Sequence, residues 1–307
     1  MSTAARIRTV YRAWRRLNLL ALLGLFAWAH AAYAQDAAAL RARHVSLQPS
    51  LSSNEYGRPL HIESVHNSDE LRGEVYAVVQ RPFATAAPAL KGMEHWCDIL
   101  MLHLDVKMCR WSTSGPELMT VSTTRKYDQP LANASSVEFG YHVVAATPEY
   151  QQVQLHAASG PMGTHDYLIV LELVSLDAKT SFLRLAYGYS QGFGGRIAME
   201  AYLATLGRSK VGFTVVGHKP DGTPLYIGNV RGLVERNCMR YFLAIDAYLT
   251  AASLPPAEQL ERRLQEWHAG SERYPIQLRE MGREEYLAMK RKEIQYQQAT
   301  AKEGKPS

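Results

Sequence analysis

The chain has 307 residues, 47% of them hydrophobic and 21% charged, with 21 Gly, 14 Pro and 3 Cys. That composition excludes collagen-like, disulfide-framework and wholly disordered classes, and it suffices for one large domain or two ordinary ones. The formal charge of +5 invites a nucleic-acid reading, but residues 1–34 hold Arg6, Arg8, Arg12, Arg15 and Arg16 and no acid; taking those five from the 34 Lys and Arg leaves 29, equal to the 29 Asp and Glu, so no basic footprint remains in the rest of the chain.

Residues 1–34 read as a secretory signal peptide. The arginine-rich start is followed by an apolar run from Leu17 to about Ala29 and by Ala32-Tyr33-Ala34, an A-x-A cleavage pattern before Gln35. The run is short against the ~20 residues of a spanning helix, and no later stretch reaches that length, so no stable membrane span is expected after cleavage. The expected location is periplasmic, an oxidising compartment. Three cysteines follow, Cys97, Cys109 and Cys238. The odd number leaves at least one thiol unpaired within a monomer. A Cys97–Cys109 disulfide across a helix-to-strand connection and burial of all three as small hydrophobes both fit the spacing.

Residues 35–70 show little periodicity and read as an N-terminal arm with a short helix over 37–43. A Val- and Tyr-rich strand at 73–79 ends at Arg81-Pro82, and two short helices follow over 83–90 and 93–100. From Val106 the pattern turns to strands, at 106–111, 118–126, 137–145, 153–158, 165–176 and 181–190, with turn residues between them. In the last of these, Leu183, Leu185, Tyr187 and Tyr189 share one side and Arg184 and Ala186 the other. Gly192 to Gly195 lead into a helix over 196–206. Strands at 211–217 and 225–234 flank the turn Lys219-Pro220-Asp221-Gly222. A long helix over 235–252 carries Cys238, Tyr241, Phe242, Ile245, Tyr248 and Leu249 at helical spacing. It stops at Leu254-Pro255-Pro256. A charged, helix-prone tail runs over 257–301, with Glu258, Glu261, Arg262 and Arg263 as a solvated face and a break at Tyr274-Pro275. Strands in succession without long intervening helices predict an antiparallel sheet and an α+β fold. One apolar-faced helix after the last strand needs the inner face of a curved sheet to cover, which leaves a cavity wherever the inner side chains do not fill it.

This order resembles the START-like (SRPBCC, helix-grip) superfamily over about residues 70–252. The resemblance is carried by Gly73 to Val79, then Arg81-Pro82-Phe83 with a helix, Trp96, the strand run, and the terminal helix around Asn237 to Leu249. It implies a helix-grip domain at 71–253 between the arm and a helical tail at 254–307. It also implies an apolar pocket for lipids or other hydrophobic ligands, in a family where some members are enzymes and many only bind or carry. The helix near 192–207 and the tail depart from the minimal fold; either would lid the cavity or meet a protein partner, the tail through 257–301.

The remaining candidates for chemistry are weak. His61, Glu63 and His66 have no metal-ligand spacing and read as solvated loop polars. Adjacent His165 and Asp166 point to opposite faces of a strand, which makes them poor partners. His95 and Cys97 diverge on a helix, so a Cys–His nucleophile is disfavoured. No G-x-S-x-G exists, and the 192–195 turn lacks a Walker lysine. No catalytic set, metal or cofactor is expected. A ligand-binding wall is expected from Tyr76, Tyr141, Arg184, Tyr187, Tyr189, Tyr226, Arg231, Tyr241, Phe242 and Ile245, since tyrosine offers an apolar body with a polar tip and a buried arginine needs an acid such as Glu172 or a ligand carboxylate. The leading expectation is non-catalytic binding or transport of a lipid-like ligand. An enzyme of the cyclase or hydrolase type on the same fold, with a buried acid–base pair, and an envelope interaction module with a filled core are the alternatives.

Overall fold

A computed structural model describes residues 36–67, 70–112, 114–192 and 210–303. Eight strands form one antiparallel sheet: β1 (Leu60–His66), β2 (Glu70–Val79), β3 (Val106–Ser112), β4 (Leu118–Thr123), β5 (Ser135–Ala146), β6 (Tyr150–Ser159), β7 (Thr164–Ser175) and β8 (Ser181–Gln191). Their order is β1-β2-β8-β7-β6-β5-β4-β3. Strands β3 to β8 are a meander joined by short turns, and β2 closes beside β8. Register shifts in β3, β5 and β7 mark bulges, which bend the sheet.

Helix α1 spans 36–46 and α2 Gln48–Ser52; α3 (Phe83–Ala89) and α4 (Met93–Leu100) bridge β2 to β3. The long helix α5 (Asn229–Ala251) lies across the concave face, and α6 (Pro256–Glu272), α7 (Pro275–Leu278) and α8 (Arg283–Glu303) follow it. A ribbon of β9 (Val215–His218) and β10 (Pro224–Tyr226) precedes α5.

Alternation along each strand decides which side chains meet α5. Val75, Ala77, Leu183, Leu185, Leu171, Val153, Phe139 and Val121 join Val234, Cys238, Phe242 and Ile245 of α5 in one buried cluster. At Gly73 the helix comes so close that an added Cβ would lie 3.3 Å from the Val234 carbonyl. The opposite parity of β2 and β8, with Tyr76 and Phe182, joins Tyr150 of β6 under Ala37, Leu40, Leu47 and Leu51 of α1–α2 on the convex face. Cys97 of α4 and Cys109 of β3 form a disulfide, with Cα atoms 5.3 Å apart, while Cys238 is free and buried. The sheet edge at β3 is covered by α8, whose Gln297 Oε1 accepts the Cys109 N–H at 2.7 Å.

Several expectations need correction. The arm at 35–70 is not irregular: β1 pairs along its whole length with β2, and α1–α2 cap the convex face. The expected strand at 225–234 is cut to three residues, because helix α5 begins at Asn229. Arg231 therefore sits on a helix. The expected solvated face of the tail holds at Glu258 and Arg262 but not at Arg263, and the tail packs on the domain. Leu264, Trp267, Tyr286 and Lys290 are fully or almost fully buried, and Arg263 reaches Asp98 at 2.7 Å while lying over the Tyr248 ring. His165 and Asp166 do interact, at 2.8 Å, because Asp166 adopts a positive φ of 51° in the β7 bulge, which breaks the face alternation. The helix expected at 196–206 lies outside the described residues. Among the described residues no helix is long and apolar enough to cross a membrane.

Candidate functional site

The interior under α5 is solid near β2 and β8 and opens toward β3–β5. There a cavity of about 450 Å³ separates sheet and helix. Val121 of β4, Val137 and Phe139 of β5, Tyr167 of β7 and Tyr187 of β8 supply its sheet wall, and Asn237 and Tyr241 of α5 close it. Val121 of β4 and Val137 of β5 on the cavity wall are smaller than the leucines of β7 and β8, so the concave face recedes from the helix on this side. A second chamber of about 420 Å³ adjoins the first and shares Asp105, Arg125, Met162 and Asn237 with it.

Aromatic rings form the cavity's back wall in a run of tilted and stacked contacts. Tyr167 stacks on Tyr189 at 5.1 Å, Tyr187 meets Tyr241 at 5.3 Å, and His103 meets Tyr241 at 5.1 Å. Burial pushes the phenols of Tyr187 and Tyr241 above their ordinary range, so both stay neutral and available as donors. The Asn237 side chain hydrogen-bonds Tyr187.

The short link from α4 to β3 brings in His103 and Asp105. The Asp105 N–H donates to His103 Nδ1 at 3.2 Å, which leaves the ring proton of the neutral imidazole on Nε2. Burial, joined by the nearby cations Arg240, Lys290 and Arg236, drives His103 well below the usual histidine range. Burial also raises the Asp105 carboxyl, against the pull of Arg240 and Lys210. The cavity thus holds a neutral imidazole and a carboxyl of weakened acidity next to three tyrosines. Lys290 of α8, fully buried, pins this link by donating to the carbonyls of His103 at 3.1 Å and Val106 at 2.7 Å.

Of the residues expected to bind ligand, Tyr187 and Tyr241 line the cavity. Tyr189 stands behind Tyr167. Tyr141 is buried and accepts the Gly92 N–H through its hydroxyl at 2.8 Å. Phe242 and Ile245 are packed solidly in the core. Tyr76 and Arg184 lie on the other face of the sheet: Arg184 grips Glu74 through Nη2 at 2.7 Å and Nε at 3.2 Å and also pairs with Glu172, and Tyr76 donates to Glu74. Arg231 donates to the Ser64 carbonyl at 2.9 Å, and Tyr226 lies on the β9–β10 ribbon. Among the cavity residues that sequence reasoning passed over are the polar His103, Asp105 and Asn237 and the ring of Tyr167. Asn237 and Tyr241, four apart on α5, were the readable signal, because a polar residue on a helix's apolar stripe needs a partner inside. Nothing in the local sequence marks His103 and Asp105, which sit in an irregular link.

His61 Nε2 lies 3.3 Å from Glu63, and Arg43 also reaches Glu63, at 2.6 Å. His95 accepts or donates at 2.6 Å to Tyr248, while Cys97 is consumed by its disulfide, so the two share no site. Among the described residues no group of His, Cys, Asp and Glu is arranged to hold a metal ion.

No family model matches the chain, and no curated protein does. Solved structures similar to it include a point mutant of norcoclaurine synthase from Thalictrum flavum in complex with a transition state analogue (12% identity, 48% of this chain and 90% of that one, TM-score 0.31). A START superfamily protein from Mycobacterium smegmatis is 11% identical over 45% of this chain and 90% of its own, with a TM-score of 0.30. Ara h 8.0201 is 12% identical over 62% of this chain and 99% of its own, with a TM-score of 0.33. The fold itself is defined by the elements above: one strand, two short helices, a six-strand antiparallel meander and a long helix gripped by the curved sheet. That is a helix-grip α+β architecture, here extended by β1 at one sheet edge and by three helices after α5.

Proposed function

We propose that the protein is exported and binds or carries a hydrophobic, lipid-like ligand in the cavity between sheet and α5, without transforming it. The carrying observation is the cavity: about 450 Å³, walled by Val121, Val137, Phe139, Tyr167, Tyr187 and Tyr241. That volume falls in the range of ~300–1,000 Å³ usual for small-molecule sites. Burial of ligand surface supplies roughly 25 cal/mol per Å² before ordering costs. The open interior favours ligand binding over an interaction module with a filled core. Export is supported by the A-x-A pattern before Gln35 and by the Cys97–Cys109 disulfide, a bond that persists in oxidising compartments. Native mass spectrometry of protein purified from its own envelope tests the reading. A mature chain starting at Gln35 with a bound small molecule is expected. Ligand-free protein that takes up neither lipid nor an apolar dye would overturn it.

One observation favours the enzyme reading as second. His103 and Asp105 are buried titratable groups with shifted ionisation in the same cavity, the pattern of an acid–base pair. Incubating the extracted ligand with the protein separates the two. An unchanged ligand mass fits a carrier, whereas conversion that disappears in Asp105→Asn fits an enzyme.

A further inference from the structure

Asp105 lines both chambers, and among the described residues it is the one acid on the wall of the first. Its backbone is tied on both sides: the N–H donates to His103 Nδ1 at 3.2 Å, and the carbonyl accepts the Thr124 N–H at 2.8 Å. Its side chain is not tied. Among the described residues no group donates a hydrogen bond to the Asp105 carboxylate, and Arg240, Lys210 and Lys107 act on it only through space. The other acids of the interior are engaged. Glu235 accepts from Ser64, Phe213 and Thr214, Glu74 from Arg184 and Tyr76, and Glu293 from Lys107 and Lys290.

The position of Asp105 makes that vacancy usable by a ligand. The residue is only partly buried, and its oxygens, unlike Nε2 of the neighbouring His103, are not closed off by protein. A carboxylate withdrawn from bulk water without a donor is destabilising, so a group that brings a donor into the chamber gains a partner that the fold has left open. Charge decides what kind of donor fits. An anionic head has no proton to give and meets the Asp105 charge. An ammonium meets Arg125, which lines both chambers, and Lys210 and Arg240, which line the second. A hydroxyl brings an O–H donor and no charge. From Asp105 the first chamber continues over Val121, Val137 and Phe139, which offer only apolar surface.

We propose that Asp105 is the polar anchor of the cavity and selects a neutral hydrophobic ligand with a hydroxyl head, whose O–H donates to the Asp105 carboxylate while the apolar body lies along Val121, Val137 and Phe139. This rests on the ligand-binding reading and adds its head-group chemistry.

Isothermal titration of the delipidated protein near neutral pH, with four probes below their solubility and micelle limits, tests it. The probes are decanol, its isomer nonyl methyl ether, decylammonium and decanoate. Decanol is expected to bind roughly tenfold more tightly than the ether, which has the same atoms and no donor, and more tightly than either ion. Asp105→Leu removes the acceptor and keeps an apolar side chain of similar length. It is expected to weaken decanol several-fold, to leave the ether unchanged, and not to lower the melting temperature, because the carboxylate holds no hydrogen bond in the fold. Equal binding of decanol and the ether by the unmodified protein overturns the anchor and leaves the cavity reading standing. Tighter binding of an ion than of decanol also overturns it, as does equal weakening of decanol and ether by Asp105→Leu. Failure of every probe to bind overturns the ligand-binding reading itself.

Discussion

Gly232, on the first turns of α5, shows how one missing side chain positions a whole element. A Cβ there would sit 2.7 Å from the Ile227 carbonyl oxygen and 2.9 Å from the Gly212 amide nitrogen, both backbone atoms that cannot swing aside. The Gly212 N–H donates to the same Ile227 carbonyl at 2.7 Å, so the segment before the ribbon, the ribbon's exit and the helix start are locked together. Buried Glu235, one turn on, accepts the N–H groups of Phe213 and Thr214 at 2.7 and 2.9 Å. Gly232→Ala is expected to cost about 1–3 kcal/mol by forcing these backbones apart. Denaturant melts give the number, and an unchanged midpoint would contradict the close-approach argument. The same scale explains the misplaced pocket residues. Tyr76 shares strand parity with Glu74, and Arg184 opposes Leu183 and Leu185, so alternation alone already assigned both to the polar side. The attraction of tyrosine and arginine as ligand groups outweighed that parity in the sequence reading.

The elements added around the grip are held by buried links of high consequence. The Cys97–Cys109 disulfide closes a loop with a sequence separation of 12 and ties α4 to edge strand β3. Replacing both cysteines by serine is expected to lower stability by ~3 kcal/mol, the size of the loop-closure effect for such a span. Melting with and without reductant should show the shift in the native chain and none in the double variant. On the other side of β3, Lys290 of α8 gives its three protons to the carbonyls of His103 and Val106 and to Glu293 at 2.7 Å. Burial lowers this lysine to about 8, and Glu293 opposes the shift. Lys290→Met removes a donor from two carbonyls and one of the two lysines on Glu293, which keeps Lys107 at 2.6 Å, with an expected cost of about 1–3 kcal/mol. Because those carbonyls belong to the link carrying His103 and Asp105, hydrogen exchange across residues 101–106 should quicken at the same time. Unaltered protection there would separate α8 from the cavity.

The molecule as a whole is stapled by buried ion pairs on both sides of the sheet, and this sets its response to acid. Burial alone would raise Glu74 and Glu280. Arg184, Tyr76 and Arg72 at Glu74 outweigh it, as do Arg240, Lys210 and Arg236 at Glu280, so both carboxyls are held below their ordinary range. A carboxyl with a depressed folded value keeps its charge to lower pH in the native state than in the unfolded one. Its contribution is therefore complete above the ordinary value of ~4.3 and disappears as pH falls through the folded value. Thermal melts should be flat in this respect above about pH 5 and fall steeply below pH 4. Arg184→Gln should cost about 3 kcal/mol near neutrality, since it removes the guanidinium shared by Glu74 and Glu172 and leaves Glu74 with Arg72 and Tyr76 and Glu172 with Tyr150, and its deficit should narrow as Glu74 protonates. A deficit independent of pH would mean that packing, not charge, is what Arg184 provides.

Much of the architecture was legible in the chain itself. Period-two alternation, turn residues and one long apolar-striped helix are local patterns, and they set the antiparallel sheet, the α+β class and the helix it grips. Residues 35–70 escaped because β1 is short and its pairing with β2 is a contact between segments, which local periodicity does not register. The tail escaped because its charged residues find partners at a distance: Arg263 at Asp98, Lys290 at the carbonyls of the α4–β3 link. The cavity is likewise a product of tertiary structure alone. Its walls come from five strands, a helix and an irregular link, and whether space remains between them depends on how side-chain volumes from distant segments sum. Covalent order dictates which faces are apolar; only packing dictates where those faces fail to meet.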